Sequence, residues 1–255
     1  VPGSPWSPAL LLAASAGFAV SILMLRMADR ATSTLTAVAA MTGTIAAVGA
    51  IGVTATPAIE AVAAMLTVVS VGALSAAPKL TVAVAGIGPS RPDVGDRRAG
   101  IAHRVLTGLI AGWSAAAVLG IAAVAVAALQ TAAPAGLTAA FAADVGLLLL
   151  LRQRTHVEVR RRLALGASGV TALLLAMAVV VSTAPQQAFW VCAAAAAVSV
   201  SLLHLADRGM SSNPAVHQSF QMLEYATLAA VVPLALRVSG VYGLVRALSV
   251  PGARR

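Results

Sequence analysis

Long uninterrupted apolar runs dominate this chain. Eight can be read along its 255 residues, at approximately 8–27, 34–54, 58–77, 105–129, 135–151, 163–182, 188–206 and 222–245. Each is close to the roughly 17–25 residues that a helix needs to cross the hydrocarbon core of a bilayer. Segment 135–151 is the shortest and is interrupted by Asp144. Charged residues make up only 10% of the chain and apolar residues 60%, whereas an ordinary soluble domain is roughly 25% charged. A water-soluble fold cannot hide that much apolar surface, because even a large globular domain buries only about three quarters of its unfolded surface. The runs are continuous rather than alternating, and at 4% aromatic the chain lacks the girdles of an outer-membrane barrel. The expected fold class is all-α: one polytopic membrane helix bundle over 1–255, with about eight transmembrane helices.

Ser7-Pro8, Thr56-Pro57 and Asn213-Pro214 each set a capping side chain before a proline suited to the first helical position. The last helix should therefore begin near 214, outside the bilayer, and run on through Glu224. The chain opens Val1-Pro2-Gly3, and no basic n-region or small-residue cleavage site precedes the first run. That run is expected to be a membrane helix rather than a signal peptide. The start itself suggests a fragment or an alternative start codon.

The basic residues sort by side. Arg26, Arg30, Lys79, Arg91, Arg97, Arg98, Arg104, Arg152, Arg154, Arg160, Arg161, Arg162 and Arg208 fall on one side. Arg246, Arg254 and Arg255 fall on the other, and Arg237 lies inside a span, which accounts for all 17. The positive-inside rule makes the first side cytoplasmic and both termini external. The net charge of +9 is then an orientation signal, with no nucleic-acid partner implied. The excess of arginine over lysine and the abundance of alanine fit a GC-rich, actinobacterial coding background.

The two longest cytoplasmic loops differ. Residues 78–104 carry Pro78-Lys79-Leu80 and the turn-forming Gly86-Ile87-Gly88-Pro89-Ser90. Residues 152–162 form a compact basic patch of Arg152, Arg154, Arg160, Arg161 and Arg162. It is either a topology-setting stop signal or a surface for anionic headgroups or an acidic partner.

Chemistry is hard to find. No His-Glu-x-x-His pair joins His103, His156, His204 and His217, and no phosphate-binding loop or Gly-x-Ser-x-Gly elbow occurs. The single cysteine, Cys192, allows no intrachain disulfide and reads as a small buried hydrophobe. No catalytic, cofactor or metal residues are expected. Charges inside spans are the default functional candidates. Asp144 lies about 14 Å, and Arg237 about 12 Å, from the outer ends of their segments at 1.5 Å per residue. The matched depths and opposite signs predict an interhelical Asp144–Arg237 ion pair. Arg237 reaching outward, or either residue facing a wet cavity, are the alternatives. Small residues are plentiful: Gly108, Gly112, Ala116 and Gly120 line one stripe, and Ala13, Gly17 and Ser21 another. Such stripes allow close helix approach.

Three stretches carry a resemblance. Leu223-Glu224-Tyr225-Ala226-Thr227-Leu228-Ala229-Ala230-Val231-Val232-Pro233-Leu234-Ala235-Leu236, followed by Gly240-Val241-Tyr242-Gly243-Leu244-Val245-Arg246, resembles the C-terminal helix of EccD. EccD is the many-helix membrane subunit of actinobacterial type VII (ESX) secretion systems. Ala77-Pro78-Lys79-Leu80 with Gly86-Ile87-Gly88-Pro89 resembles a segment of that family leading into a turn. Leu149-Leu150-Leu151-Arg152-Gln153-Arg154-Thr155-His156 is similar to a run after one of its helices. The resemblance extends over roughly 8–246. It implies a cytoplasmic ubiquitin-like domain, not found in these residues, followed by eleven helices, of which the last eight would match. It implies a scaffold that forms homodimers and supports EccB, EccC and EccE subunits, in contact with membrane lipids in the cell (inner) membrane. ATP hydrolysis would belong to EccC, and no catalytic or cofactor residue carries over. Arg237 departs from the family pattern, which has an aromatic or apolar residue there. The rival expectation is a small-solute or ion transporter.

Overall fold

The computed structural model describes residues 6–27, 32–55, 58–85, 95–131, 135–186, 189 and 214–240. Every element among them is helical. The helices are α1 (Trp6–Met27), α2 (Thr32–Ala55), α3 (Ile59–Ala85), α4 (Gly95–Thr131), α5 (Ala135–Arg152), α6 (Val159–Thr183) and α7 (Pro214–Val238). A single 3-10 turn, Gln153–Thr155, joins α5 to α6. Helices α2 to α7 are each long and apolar enough to cross a membrane, while α1 carries a shorter apolar stretch at Leu11–Leu25. Nearly all of the expected span 188–206, with Cys192 and His204, lies outside the described residues.

Several helix ends differ from expectation. Residues 78–104 are largely helical rather than a loop: α3 continues through Pro78 to Ala85, and α4 begins at Gly95. Proline at 78 has no N–H for the carbonyl of Leu74, yet packed membrane helices tolerate this. Ahead of Val105, Ala99, Ala102 and the arginines are good helix formers. Apolarity marks where hydrocarbon ends, and the helix runs past it. At 37 residues α4 is about 55 Å long, well beyond a core of about 30 Å. At the other extreme, α7 starts at Pro214 as expected but stops at Val238, short of 245. Ser239 and Gly240 donate backbone bonds to Ala235 and Arg237, and Gly240 turns left-handed at φ 70°. Helix α1 begins at Trp6, one residue before the expected Ser7 cap.

Hydroxyls inside the spans are satisfied locally. Ser21, Thr44, Thr67, Ser70 and Thr81 each donate to the carbonyl four residues earlier. This leaves these five hydroxyls without a free donor and frees their positions for packing.

Helix α4 is the hub. It packs on α2, α3 and α6, while α5 packs between α6 and α7, and α1 covers α2. The core joins Ile110, Trp113 and Ile121 of α4 to Phe141, Leu148 and Leu149 of α5. Leu165 of α6 and Val231 and Ala235 of α7 complete it. Outward faces carry large apolar residues such as Leu12, Leu163, Leu174 and Met222, suited to lipid.

Glycines decide how closely α4 approaches its neighbours. A β-carbon at Gly108 would strike the Ser33 carbonyl and come 2.7 Å from Thr36 Cβ. At Gly112 it would strike the Ala37 carbonyl and come 2.9 Å from Ala40 Cβ. These two positions seat α2. Gly120 seats α3, where a β-carbon would meet Thr67 Oγ1 and lie 2.8 Å from the Ala63 carbonyl. Trp113 locks the α2 side by donating from Nε1 to Thr44 Oγ1 at 3.2 Å. A second close crossing was not anticipated from sequence. Gly146 of α5 and Gly169 of α6 face each other, each 3.0 Å or less from the other's carbonyl if given a β-carbon. In α1 Ala14 and Ser21 are buried and Gly17 half-buried, with Ala13 exposed.

Gly112→Leu should separate α2 from α4, because the obstruction at Gly112 is backbone. Overpacking of this kind costs about 1–3 kcal/mol or more. Thermal unfolding in detergent should show a clear loss for Gly112→Leu and almost none for Gly72→Ala, whose β-carbon meets nothing within 4 Å.

Candidate functional site

The polar chemistry gathers at one end of the bundle, where α3 and α5 finish and α4, α6 and α7 begin. Two clusters stitch these ends together.

The first joins α4 to the start of α6. His103 and Thr107, one turn apart on α4, face Glu158 and Arg161. Glu158 Oε2 lies 2.8 Å from Arg161 Nε and 3.0 Å from His103 Nε2. The Thr107 hydroxyl sits 3.0 Å from the same carboxylate oxygen and 2.9 Å from the His103 carbonyl, and its one proton serves one of them at a time. Arg161 also donates to Thr107 Oγ1 at 3.0 Å and to the His103 carbonyl at 3.0 Å. Its Nη2 is 2.9 Å from His103 Nδ1. A neutral imidazole with its proton on Nε2 satisfies both contacts, accepting from Arg161 and donating to Glu158. Arg161 is buried, with 11% of its side chain exposed, and a buried cation needs such partners.

The second cluster joins three helices through Arg152. Its Nε lies 3.4 Å from Glu224 Oε1 on α7, and its Nη2 donates to Ser75 Oγ on α3 at 2.6 Å. Close by, the Arg154 guanidinium sits 3.9 Å above the ring centre of Phe220, a cation–π contact that again ties this turn to α7. Gln153 fills the space over Gly166, its Oε1 being 2.6 Å from where a β-carbon would stand.

Burial, hydrogen bonding and charge shift two titrations here. Partial burial pushes the Glu158 carboxyl up, but the Thr107 hydrogen bond, the Arg161 charge and the His103 hydrogen bond outweigh it and hold the group below its usual range. Burial, followed by the charges of Arg161 and Arg152, lowers His156 below the ordinary imidazole value.

The basic patch is thus divided. Arg152 and Arg161 serve the fold, Arg154 rests on Phe220, and Arg160 and Arg162 are exposed. His103, Thr107 and Glu158 escaped the sequence reading. Glu158 sits within an arginine run and reads as part of it. The four-residue spacing of His103 and Thr107 is the available signal, but His103 falls in a stretch that reads as loop and Thr107 in the span that follows it.

Asp144 and Arg237 do not pair. Their helices do pack together, but the Arg152–Glu224 contact sets the register. Eight residues back from Arg152 is Asp144, and eight forward from Glu224 is Val232. Arg237 lies about 7 Å farther out, at 1.5 Å per residue. It is exposed in the last turn of α7, where the helix dipole favours a cation. The buried face of α7 carries Thr227, Val231 and Ala235 instead. Asp144 Oδ2 is buried without a hydrogen-bond partner. Among the described residues no three His, Cys, Asp or Glu come together to hold a metal ion.

A family model described as the EccD-like transmembrane domain matches residues 1–248. The chain belongs to the EccD family. Its similar curated relatives include the ESX-4 secretion system protein eccD4 of Mycobacterium tuberculosis, in strains CDC 1551 / Oshkosh and H37Rv. Each is 31% identical over 266 residues, covering 97% of this chain and 56% of the relative. This EccD-family chain therefore spans about half the length of the curated relatives it matches. The fold is similar to a chain in the structure of protomer 1 of the ESX-3 core complex, with a TM-score of 0.69 and 20% identity over 96% of this chain and 59% of that one. It is also similar to a chain of the MycP5-free ESX-5 inner membrane complex. There the TM-score is 0.57 and the identity 22%, over 84% of this chain and 51% of the other.

Replacing Glu158 by glutamine should leave Arg161 short of its countercharge and loosen α4 from α6. Because Glu158 is 25% exposed, the cost should be about 2 kcal/mol, below the 3–5 kcal/mol of a fully buried pair. A double-mutant cycle with Arg161→Gln checks that the two losses are not additive. The pH dependence has a defined sign. A carboxylate held low in the fold stabilises it above the ordinary value of 4.5, and that gain is lost as pH falls through the folded value. The unfolding-temperature gap between the native chain and Glu158→Gln should shrink below about pH 4.5.

Proposed function

We propose that this chain is a membrane-embedded scaffold subunit of a type VII (ESX) secretion complex, acting without catalytic chemistry of its own. The observation that carries this reading is the family match across residues 1–248. The 31% identity to a protein named for the ESX-4 secretion system supports it. A bundle held by close backbone crossings and polar clasps suits a part whose work is assembly.

On this reading the chain is a multi-pass component of the cell (inner) membrane. It pairs with a second copy of itself and supports subunits of the EccB, EccC and EccE type, with ATP hydrolysis belonging to the EccC-type partner. The arginine-rich end is taken as cytoplasmic, as the positive-inside rule favours. The termini then lie outside.

Affinity purification of the tagged chain from membranes of its own host tests this. EccB- and EccC-type subunits should co-purify in amounts comparable to the bait. Recovery of the chain without them, together with solute uptake by proteoliposomes holding it alone, would replace the scaffold with a transporter.

A further inference from the structure

Five arginines crowd the α5–α6 turn, and the fold uses only some of them. Arg160 and Arg162 are exposed and make no hydrogen bond, ion pair or ring contact among the described residues. Their placement on α6 is specific. Val159, Leu163, Val170 and Leu174 are all exposed large apolar residues. At about 100° per residue they form one ridge along the helix. Arg160 projects about 70° to one side of that ridge and Arg162 about 90° to the other, while buried Arg161 points the opposite way into the first cluster. Two unpartnered guanidinium groups therefore flank the head of a lipid-facing apolar ridge.

Depth supports the same occupant. The ridge begins at Val159, the first residue of α6, so the flanking arginines stand where hydrocarbon gives way to headgroups. On the same end of the bundle Tyr225 is exposed beside Glu224, an aromatic position typical of that interface.

We propose that Arg160 and Arg162 form a binding site for an anionic phospholipid. The phosphate and its negative headgroup lie between the two guanidinium groups, and an acyl chain runs along Leu163, Val170 and Leu174. Arginine suits this role because its planar fork makes paired hydrogen bonds to phosphate. An acidic protein segment would match the charges but would leave the ridge without an apolar partner. The site is independent of the secretion reading, since any membrane holding this chain supplies the ligand.

The full chain, reconstituted in nanodiscs of equal phosphatidylcholine and phosphatidylglycerol, tests the site by native mass spectrometry of retained lipid. The native chain should retain phosphatidylglycerol preferentially. Either Arg160→Gln or Arg162→Gln should lower that preference about fivefold, and the double variant roughly thirtyfold. Arg160→Lys with Arg162→Lys should keep most of it, and Arg154→Gln should change it little. Unfolding temperatures should be unaltered, because neither side chain holds the fold. An unchanged lipid preference in the double variant would overturn the site. So would retention of both lipids in equal amounts by the native chain. Loss of a bound acidic protein rather than of lipid on mutation would assign the arginines to that partner and also overturn it.

Discussion

Helices in a bilayer gain nothing from hiding apolar surface from one another, because lipid tails are as apolar as leucine. Something else must hold them, and here it is close contact between backbones. Gly108 and Gly112 bring α4 against α2, and Gly120 brings it against α3. Dispersion forces grow steeply as the gap closes, so a helix without β-carbons at the crossing gains contacts all along its length. The second crossing, Gly146 against Gly169, does the same for α5 and α6. These crossings set the heights of the helices, and the heights determine which polar groups meet at their ends.

The arginine-rich end shows what those heights permit. A cation buried as deeply as Arg161 is tolerable only when its donors are matched. Glu158 supplies the charge, and Thr107 and the His103 carbonyl supply the remaining acceptors. Arg152 is served likewise by Glu224 and Ser75, from two further helices. Each cluster draws on elements distant in sequence, so neither exists until the bundle has assembled. The arginines of one short turn thus divide into those that complete the fold and those that remain for the surroundings.

Much of this was legible beforehand. Apolar runs coincide with the described helices because hydrocarbon demands about the same length everywhere. The small-residue stripe on α4 pointed to close approach because glycine at four-residue spacing has few other uses in lipid. Helix ends were harder. The start of α4 at Gly95 and the passage of α3 through Pro78 follow from local propensity and neighbouring packing, which apolarity does not report. The Asp144–Arg237 pairing was inferred from distances to segment ends. It failed because α7 stops at Val238 and its register against α5 depends on a contact no count of residues contains. Glu158 was hidden by its own neighbours, since one acid among five arginines reads as part of a basic patch.

One feature of α4 has a mechanical side. It is a rod about 55 Å long, gripped along its middle by α2, α3 and α6 and clasped near its first third by Glu158 and Arg161. Roughly eight residues of the helix, 95–102, precede the clasp at His103. A rod held this way is a lever. Tilting its free arm turns the gripped portion against three helices at once, so a push at the arginine-rich end is felt across the bundle as a change of helix angle.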